Sequence, residues 1–428
     1  MSRFSSLPRL GLSADHDSGG ERVDSGSLET LESDPYYWLC RDALRYASER
    51  EYTGWDYADG LSSALVQSLP FEHRYLNLAV QETIKRAPIN LRPLFLVEQR
   101  RNYKGAALFA LANLELYALT GEAEYAGDAE ELLEWLIAES NDWCSGFGGG
   151  GHRHPLQDLS SATASTPGEV SGVVSTTYAV RALLRGADVL AEPRYADVAR
   201  TARAFVLRDL EYTDIDEGAR INYTASRDGS AGGGESYTLN ANAIGARLLL
   251  ELADRFDDRR SLEAATAILD YVASTQTAVG GWMYTDPPTA SHLSMDSFHN
   301  GFILESFLRY QAVTGDDRYA STLERGLEFY RERLFDGGAP RWDESSTYPR
   351  DVHAAAQGIV LFAELGDLEM ARRIVDWTRE ELHAGGGQFY YQKRRLYTKH
   401  FTLMRWCQAW MAFSLSRYLR RRYELERA

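Results

Sequence analysis

Five stretches of this chain repeat one design: an apolar helical run, a short turn, and a second helical run carrying more charge. They occupy residues 107–139, 179–210, 243–274, 301–334 and 355–382, and begin ALFALANLELYALTG, AVRALLRGADVLAEP, AIGARLLLELADRF, GFILESFLRYQAVTG and AAQGIVLFAELG. The first helix of each is apolar over most of its surface, whereas the second has one apolar stripe and an Asp/Glu/Arg face. The first must therefore be inner and the second outer. Turns such as TGEAEY, LAEPRY and TGDDRY join them, with Gly or Pro stopping one helix and acids starting the next.

A sixth inner helix is expected within HFTLMRWCQAWMAFSLSRYL, residues 400–419, with no outer mate downstream. The amphipathic stretch FEHRYLNLAVQETIKR, residues 71–86, is expected to supply that mate from the N-terminal side. Six hairpins closed in this way make an all-α fold, an (α/α)6 toroid, with short β-like links at the cavity mouth. An open solenoid would hold a steadier period. Here Tyr125, Tyr195 and Tyr319 mark equivalent outer-helix starts at uneven separations, which favours the closed form.

Residues 34–428 are read as this single toroid. Residues 1–33, rich in Ser, Gly and acids, are read as a disordered leader. The formal charge is −16, and of 46 basic residues only Lys85, Lys104, Lys393 and Lys399 are lysine. That balance argues against nucleic acid as a partner, which needs clustered cations. It also resembles the composition of proteins from halophilic archaea. Cys40, Cys144 and Cys407 have no C-x-x-C pairing, so no disulfide framework is implied. No apolar run is long enough to cross a bilayer and no secretory signal is visible, so the expected address is the cytoplasm. The tail RYLRRRYELERA could touch an anionic membrane surface, although a solvated helix end is the simpler reading.

Function is expected in the outer-to-inner links, which share a composition of glycines, then aromatics, then polar residues at the next inner helix. They are DWCSGFGGGGHRHPLQD, ARINYTASRDGSAGGGESY, VGGWMYTDPPTASHLSMD, DGGAPRWDESSTYPRD and AGGGQFYYQKRRLYTKH. Up-down alternation brings all five to one end. The inner-helix starts there offer Asn102, Tyr103 and Lys104; Thr176, Thr177 and Tyr178; Tyr237, Asn240 and Asn242; Asp296, His299 and Asn300; Arg350, Asp351 and His353; Lys399, His400 and Arg405. Asp296, His299 and Asn300 share one helix face.

Two carboxylates on separate helices across one cavity suit glycosidic chemistry, one as acid and the other as base or nucleophile. Asp296 and Asp351 are the candidate pair, with His299 and His353 tuning or sharing protons. Trp55, Tyr103, Trp282, Trp342, Tyr348, Asn240 and Asn300 are candidate sugar contacts. Asp56 and Asp59 in YTGWDYADG join them, as does His400, while Arg350, Lys399 and Arg405 are the cations for a uronate or other anionic group. Each has a plainer reading: Asp296 as a helix cap, the aromatics as packing, Asp56 and Asp59 as turn formers.

GFGGGG at 146–151 lacks the strand and lysine of a phosphate loop. His152, His154 and Asp158 are too few for a metal site. No cofactor or metal is expected. Gln276-x-x-x-Gly280-x-Trp282 resembles an element of terpenoid-cyclase toroids but occurs once, and reads as a packing device.

The links and the stretches YTGWDYADG, MDSFHNGFILES and YPRDVHAAAQG resemble the six-hairpin carbohydrate enzymes, notably the unsaturated glucuronyl hydrolases and glycosidase-like proteins of haloarchaeal N-glycosylation. The resemblance spans residues 34–424. It implies a carbohydrate-active enzyme, glycoside hydrolase-like, acting on a uronic-acid-containing glycan, either an oligosaccharide or lipid-linked, during surface-polysaccharide or N-glycan assembly. In those hydrolases an aspartate pair at inner-helix starts transfers protons, and Asp296 and Asp351 match by position. A uronate epimerase or lyase would use the same cavity with Tyr, His or Lys as base, and a non-catalytic glycan-binding scaffold is the alternative from another class.

Overall fold

The computed structural model describes residues 31, 33–69, 73–151, 154–157, 164–229 and 236–427. The leader expected over 1–33 lies almost wholly outside the described residues. Thirteen helices of eight residues or more occur among those described: α1 (Pro35–Ser48), α2 (Arg74–Arg86), α3 (Tyr103–Thr120), α4 (Ala123–Ala138), α5 (Val173–Val189), α6 (Pro193–Arg200), α7 (Leu239–Phe256), α8 (Arg259–Ser274), α9 (Ser297–Thr314), α10 (Ala320–Arg333), α11 (Val352–Glu364), α12 (Leu368–Glu381) and α13 (Trp410–Arg427).

Helices α3, α5, α7, α9, α11 and α13 each pack on the next, and α13 packs back on α3, closing the inner ring. The sequence shows why they lie inside. In α3 every residue from Gly105 to Leu116 is buried, whereas its outer partner α4 buries only the stripe Tyr125, Ala129, Leu132, Leu133 and Leu136. Gly121 and Gly315 take left-handed conformations that end α3 and α9. Tyr195 and Tyr319 each donate a hydroxyl to an acid on the preceding outer helix, Glu134 at 2.7 Å and Asp270 at 2.8 Å.

One expectation is corrected. The outer mate of α13 is α1, not the 71–86 segment. Helix α1 opens with Asp34 as N-cap and Pro35 in its first turn, and its stripe Tyr37, Leu39, Cys40, Ala43, Leu44 and Ala47 fills the apolar groove. Helix α2 buries two amides, Asn77 and Gln81, beside Ile84. Such a face does not suit an apolar groove, and α2 instead lies against the turn at 59–62 and the 154–157 segment.

Short antiparallel pairs tie the inner-helix starts to neighbouring links and define the mouth: Thr53–Gly54 with Arg100–Arg101, Val170–Gly172 with Thr224–Ser226, Tyr237–Thr238 with Thr285–Asp286, and Arg350–Asp351 with Gln392–Lys393. A polar clamp recurs four residues after the N-cap. Thr176 accepts from the Gly149 N–H, Asn242 holds both backbone groups of Ile221, and Asn300 holds both of Trp282. These buried link groups are thereby paired.

At the opposite end, the inner helices finish in a lattice of arginines and acids around a basin of about 120 Å³. Glu115 there meets Arg185, Arg417 and Arg420. The tail arginines are engaged within the chain, with Arg421 on Glu424 and Arg422 on Asp34 and Glu426.

Candidate active site

The six inner segments begin after the N-caps Asn102, Gly172, Thr238, Asp296, Asp351 and Leu403. Two residues after each cap stand Lys104, Val174, Asn240, Phe298, His353 and Arg405, one register position repeated around the ring. The last inner segment starts with a π-helical turn, Met404–Ala409, a form common at functional sites. His353 stacks on Phe298 with centroids 4.7 Å apart, and Lys104, Arg405 and His299 all act electrostatically on it. These groups therefore converge.

Asp296 performs two tasks. One carboxylate oxygen, Oδ1, accepts the His299 backbone N–H at 2.9 Å and caps α9; the other, Oδ2, lies 2.6 Å from His299 Nδ1. An ionised Asp296 requires the proton on Nδ1, which leaves Nε2 as the open nitrogen of His299. Asp296 is 2 % exposed, so the open imidazole and not the carboxylate is the group presented.

His353 is also 2 % exposed, and neither ring nitrogen has a hydrogen-bond partner among the described residues. It lies between Phe298 and Trp410, with the edge of Trp406 at 4.6 Å. Burial, reinforced by the nearby cations, holds its pKa well below the ordinary value, so it is a neutral imidazole. Both His299 and His353 touch Phe298, at 4.1 and 4.7 Å between centroids.

Asp351 turns the other way. It accepts from the His353 backbone N–H at 2.8 Å, Trp406 Nε1 at 2.8 Å and Gln392 Nε2 at 2.6 Å. Burial pushes its pKa up to about 6 despite these donors. It thereby fixes Trp406 against His353. Asp56 is likewise committed: Arg405 reaches it through Nε at 2.9 Å and an Nη at 2.8 Å, and Asn102 donates at 2.7 Å. Burial opposes ionisation there, yet the Arg405 charge wins and brings the pKa down to about 2. Asp59 pairs with the buried Arg92 at 2.7 Å, and burial raises its pKa to about 6.

Lys104 has no hydrogen bond or ion pair among the described residues. Its ammonium lies 5.6 Å from the Trp410 ring, and burial together with Arg405 lowers its pKa to about 7. Below, Trp410, Tyr178, Phe302 and Phe413 form an aromatic floor, with Tyr178 edge-on to Trp410 at 5.3 Å. Tyr57 stacks on Trp406 at 4.6 Å. An aromatic cluster that holds a partly exposed imidazole, a buried unpartnered one, an amine titrating near neutrality and a guanidinium has the groups to exchange protons with a bound polar molecule and to stabilise negative charge that develops on it.

Other expected contacts lie elsewhere. Tyr103 points outward and donates to the Leu136 carbonyl at 2.6 Å. Trp282 is 1 % exposed, donates to the Val272 carbonyl and stacks on Phe307, while Asn300 is its clamp. Gln276 bridges Gly280 and Thr322, so Gln276, Gly280 and Trp282 act as packing. Trp55 donates to the Val97 carbonyl. Arg350 turns to Asp336 and Pro340 and lies over Tyr348. Lys399 caps the end of α2 through the Lys85 and Arg86 carbonyls, and exposed His400 rests on Tyr390. Trp342 is half-buried in its link. Asn240 shares the ring position, and its Oδ1 has no partner among the described residues.

Trp406, Trp410 and Phe298 escaped the sequence reading because they look like core residues. Position relative to the N-cap finds Phe298, two residues after Asp296; Trp406 and Trp410 lie three and seven residues after Leu403, outside that register. Among the described residues no group of three or more His, Cys, Asp and Glu could hold a metal; His152 and Asp158 lie outside the described residues.

The closed six-hairpin ring places the chain among (α/α)6 toroids. It is similar in structure to a GH76 α-mannanase of Bacteroides thetaiotaomicron, with TM-score 0.62 and 13% identity over 94% of this chain and 99% of the other. It is also similar to cellobiose 2-epimerase of Bacillus thermoamylovorans, with TM-score 0.60 and 13% identity over 75% and 88% of the two chains. A third such protein is an unsaturated glucuronyl hydrolase specific for heparin, with TM-score 0.55 and 13% identity over 76% and 87%. No protein-family model and no curated protein matches the sequence.

Proposed function

We propose that the protein is a carbohydrate-active enzyme that moves a proton at the carbon beside a sugar carbonyl, as a sugar epimerase or isomerase does. One observation carries the reading. His299 presents its Nε2 and the buried His353 has two ring nitrogens without a partner among the described residues, whereas the carboxylates of Asp56, Asp296 and Asp351 are all turned into hydrogen bonds. The name of the cellobiose 2-epimerase with the same fold supports it.

In this reading a ring-opened sugar lies on the aromatic floor, and the neutral imidazole of His353 takes the proton from the carbon next to the carbonyl. The electron pair moves to the carbonyl oxygen, where Lys104 and Arg405 stabilise the enediolate. In isomerisation the imidazolium formed in this step returns the same proton to the neighbouring carbon; in epimerisation His353 keeps the proton it took, and His299 must enter as an imidazolium and give its Nε2 proton to the opposite face of the same carbon. Asp296 holds His299 in the required tautomer, and Asp351 holds the Trp406 wall. The same two cations suit a sugar that bears a carboxylate, such as a uronate.

Incubation with cellobiose, mannose and glucuronate in deuterium oxide tests this. Deuterium is expected at the carbon beside the carbonyl of a substrate, and at none with His299→Gln or His353→Gln. New reducing ends with no exchange would sink the reading. They would instead support hydrolysis of a uronic-acid-containing glycan with Asp296 and Asp351 as the pair, which the raised pKa of Asp351 favours. In that case Asp296→Asn and Asp351→Asn abolish turnover in a folded protein.

A further inference from the structure

Exposed apolar residues are unevenly spread over this protein. Of the thirteen large apolar side chains exposed among the described residues, six lie between Leu65 and Leu96, and two more, Leu396 and Tyr397, sit on the hairpin at 392–399. Leu396 is 91 % exposed, the highest of all, followed by Leu94 at 72 % and Ile89 at 66 %. The two segments meet where Lys399 donates to the Lys85 and Arg86 carbonyls at 3.2 Å each. Both belong to the mouth, because Gln392 of the hairpin donates to Asp351 beside His353.

Charge on this rim runs against the rest of the chain. The hairpin reads QKRRLYTK. Its turn is closed by the Arg394 N–H, which donates to the Tyr397 carbonyl at 2.7 Å, so Leu396 and Tyr397 stand at the tip beside Arg394 and Arg395. Arg395 is exposed and has no ion pair among the described residues, and Arg394 is partly buried with its charge acting on Asp351, whereas the chain as a whole carries −16. Arg86, at the end of α2, is largely exposed and pairs with Glu82 at 2.7 Å.

We infer that this rim docks the mouth of the toroid on an anionic lipid surface. Leu396 and Tyr397 enter the interface, the exposed Arg395 lies among the headgroup phosphates, and Ile89 and Leu94 widen the contact. A protein partner fits less well, since interface cores are depleted of charge and built on broad, complementary patches. Lipid headgroups accept scattered apolar tips with cations beside them. The inference is independent of the reaction carried out in the cavity.

Flotation of the full chain with vesicles tests it. The wild type is expected to float with phosphatidylglycerol vesicles, poorly with phosphatidylcholine alone, and less as salt rises. Arg395→Glu should weaken binding by about fivefold or more. Leu396→Glu should weaken it as well, while Leu425→Glu at the far end leaves it unchanged; circular dichroism confirms that each variant is folded. Absence of flotation with either vesicle, equal flotation with both, or unchanged binding by Leu396→Glu overturns the inference. So does a dimer in sedimentation that Leu396→Glu dissociates without any vesicle binding, which would assign the rim to a second copy of the chain.

Discussion

Asp296 joins a helix cap to an imidazole partner, and two substitutions separate these tasks. Asn caps a helix about as well as Asp, so Asp296→Asn keeps the bond to the His299 backbone N–H and loses the charged partner of Nδ1. Asp296→Ala loses both. The cap is worth about 1 kcal/mol, and the charge-assisted bond to the imidazole about 1.5–3 kcal/mol. Spread over 428 residues, about 1 kcal/mol corresponds to roughly 1 °C in Tm. Asp296→Ala is therefore expected to melt below Asp296→Asn by about 1 °C, and both below the wild type. Nitrogen-15 shifts of the His299 ring read the tautomer directly, with the proton on Nδ1 in the wild type and released from that position in both variants. Proton exchange on substrate should fall by about 10²-fold or more in both, since a misoriented base loses most of its general-base contribution. Variants equal in stability with an unchanged His299 tautomer would refute the argument, because Asp296 would then neither cap nor orient.

Replacing the unpartnered imidazole in His353→Phe should leave thermal stability equal or higher, as an apolar ring suits that aromatic box, yet abolish proton exchange. Lys104 has a folded pKa near 7, below its unfolded value, so the unfolded chain binds more protons between about pH 7 and 10.4. Wild-type stability should accordingly rise with pH across that window relative to Lys104→Met, measured by denaturant unfolding. Asp56→Ala strands the buried Arg405 and should cost about 3–5 kcal/mol, whereas Asp56→Ala with Arg405→Met recovers part of that loss in the same assay. Trp282→Ala should cost about 3–5 kcal/mol without altering sugar affinity measured by calorimetry, because the indole packs on Phe307 away from the cavity.

The ring was legible because its cause is periodic. An inner helix must be apolar nearly all round, and GFILESFLRY beside ASTLERGLEFYRER displays the difference without any tertiary knowledge. The closing helix was not, since the stretches at 35–48 and 71–86 are both amphipathic; only the chemistry of the buried face decides, and Asn77 and Gln81 on α2 could be weighed only against a partner. At the site the residue types were visible but their directions were not. Tyr103 and Lys104 are adjacent in sequence, yet a rotation of about 100° per residue sends the phenol to the Leu136 carbonyl and leaves the amine near Trp410. The same geometry turns Asp351 into its hydrogen bonds and His353 onto Phe298, although both looked like acid/base candidates. A register counted from each N-cap converts the sequence into directions. Two residues beyond it lie Lys104, Phe298, His353 and Arg405, and four beyond it lie the clamps Thr176, Asn242 and Asn300. Asn240 occupies the first of these positions with an unpaired Oδ1, so Asn240→Ala should weaken substrate binding and leave the fold intact, whereas Asn242→Ala should destabilise the fold by stranding the Ile221 backbone groups.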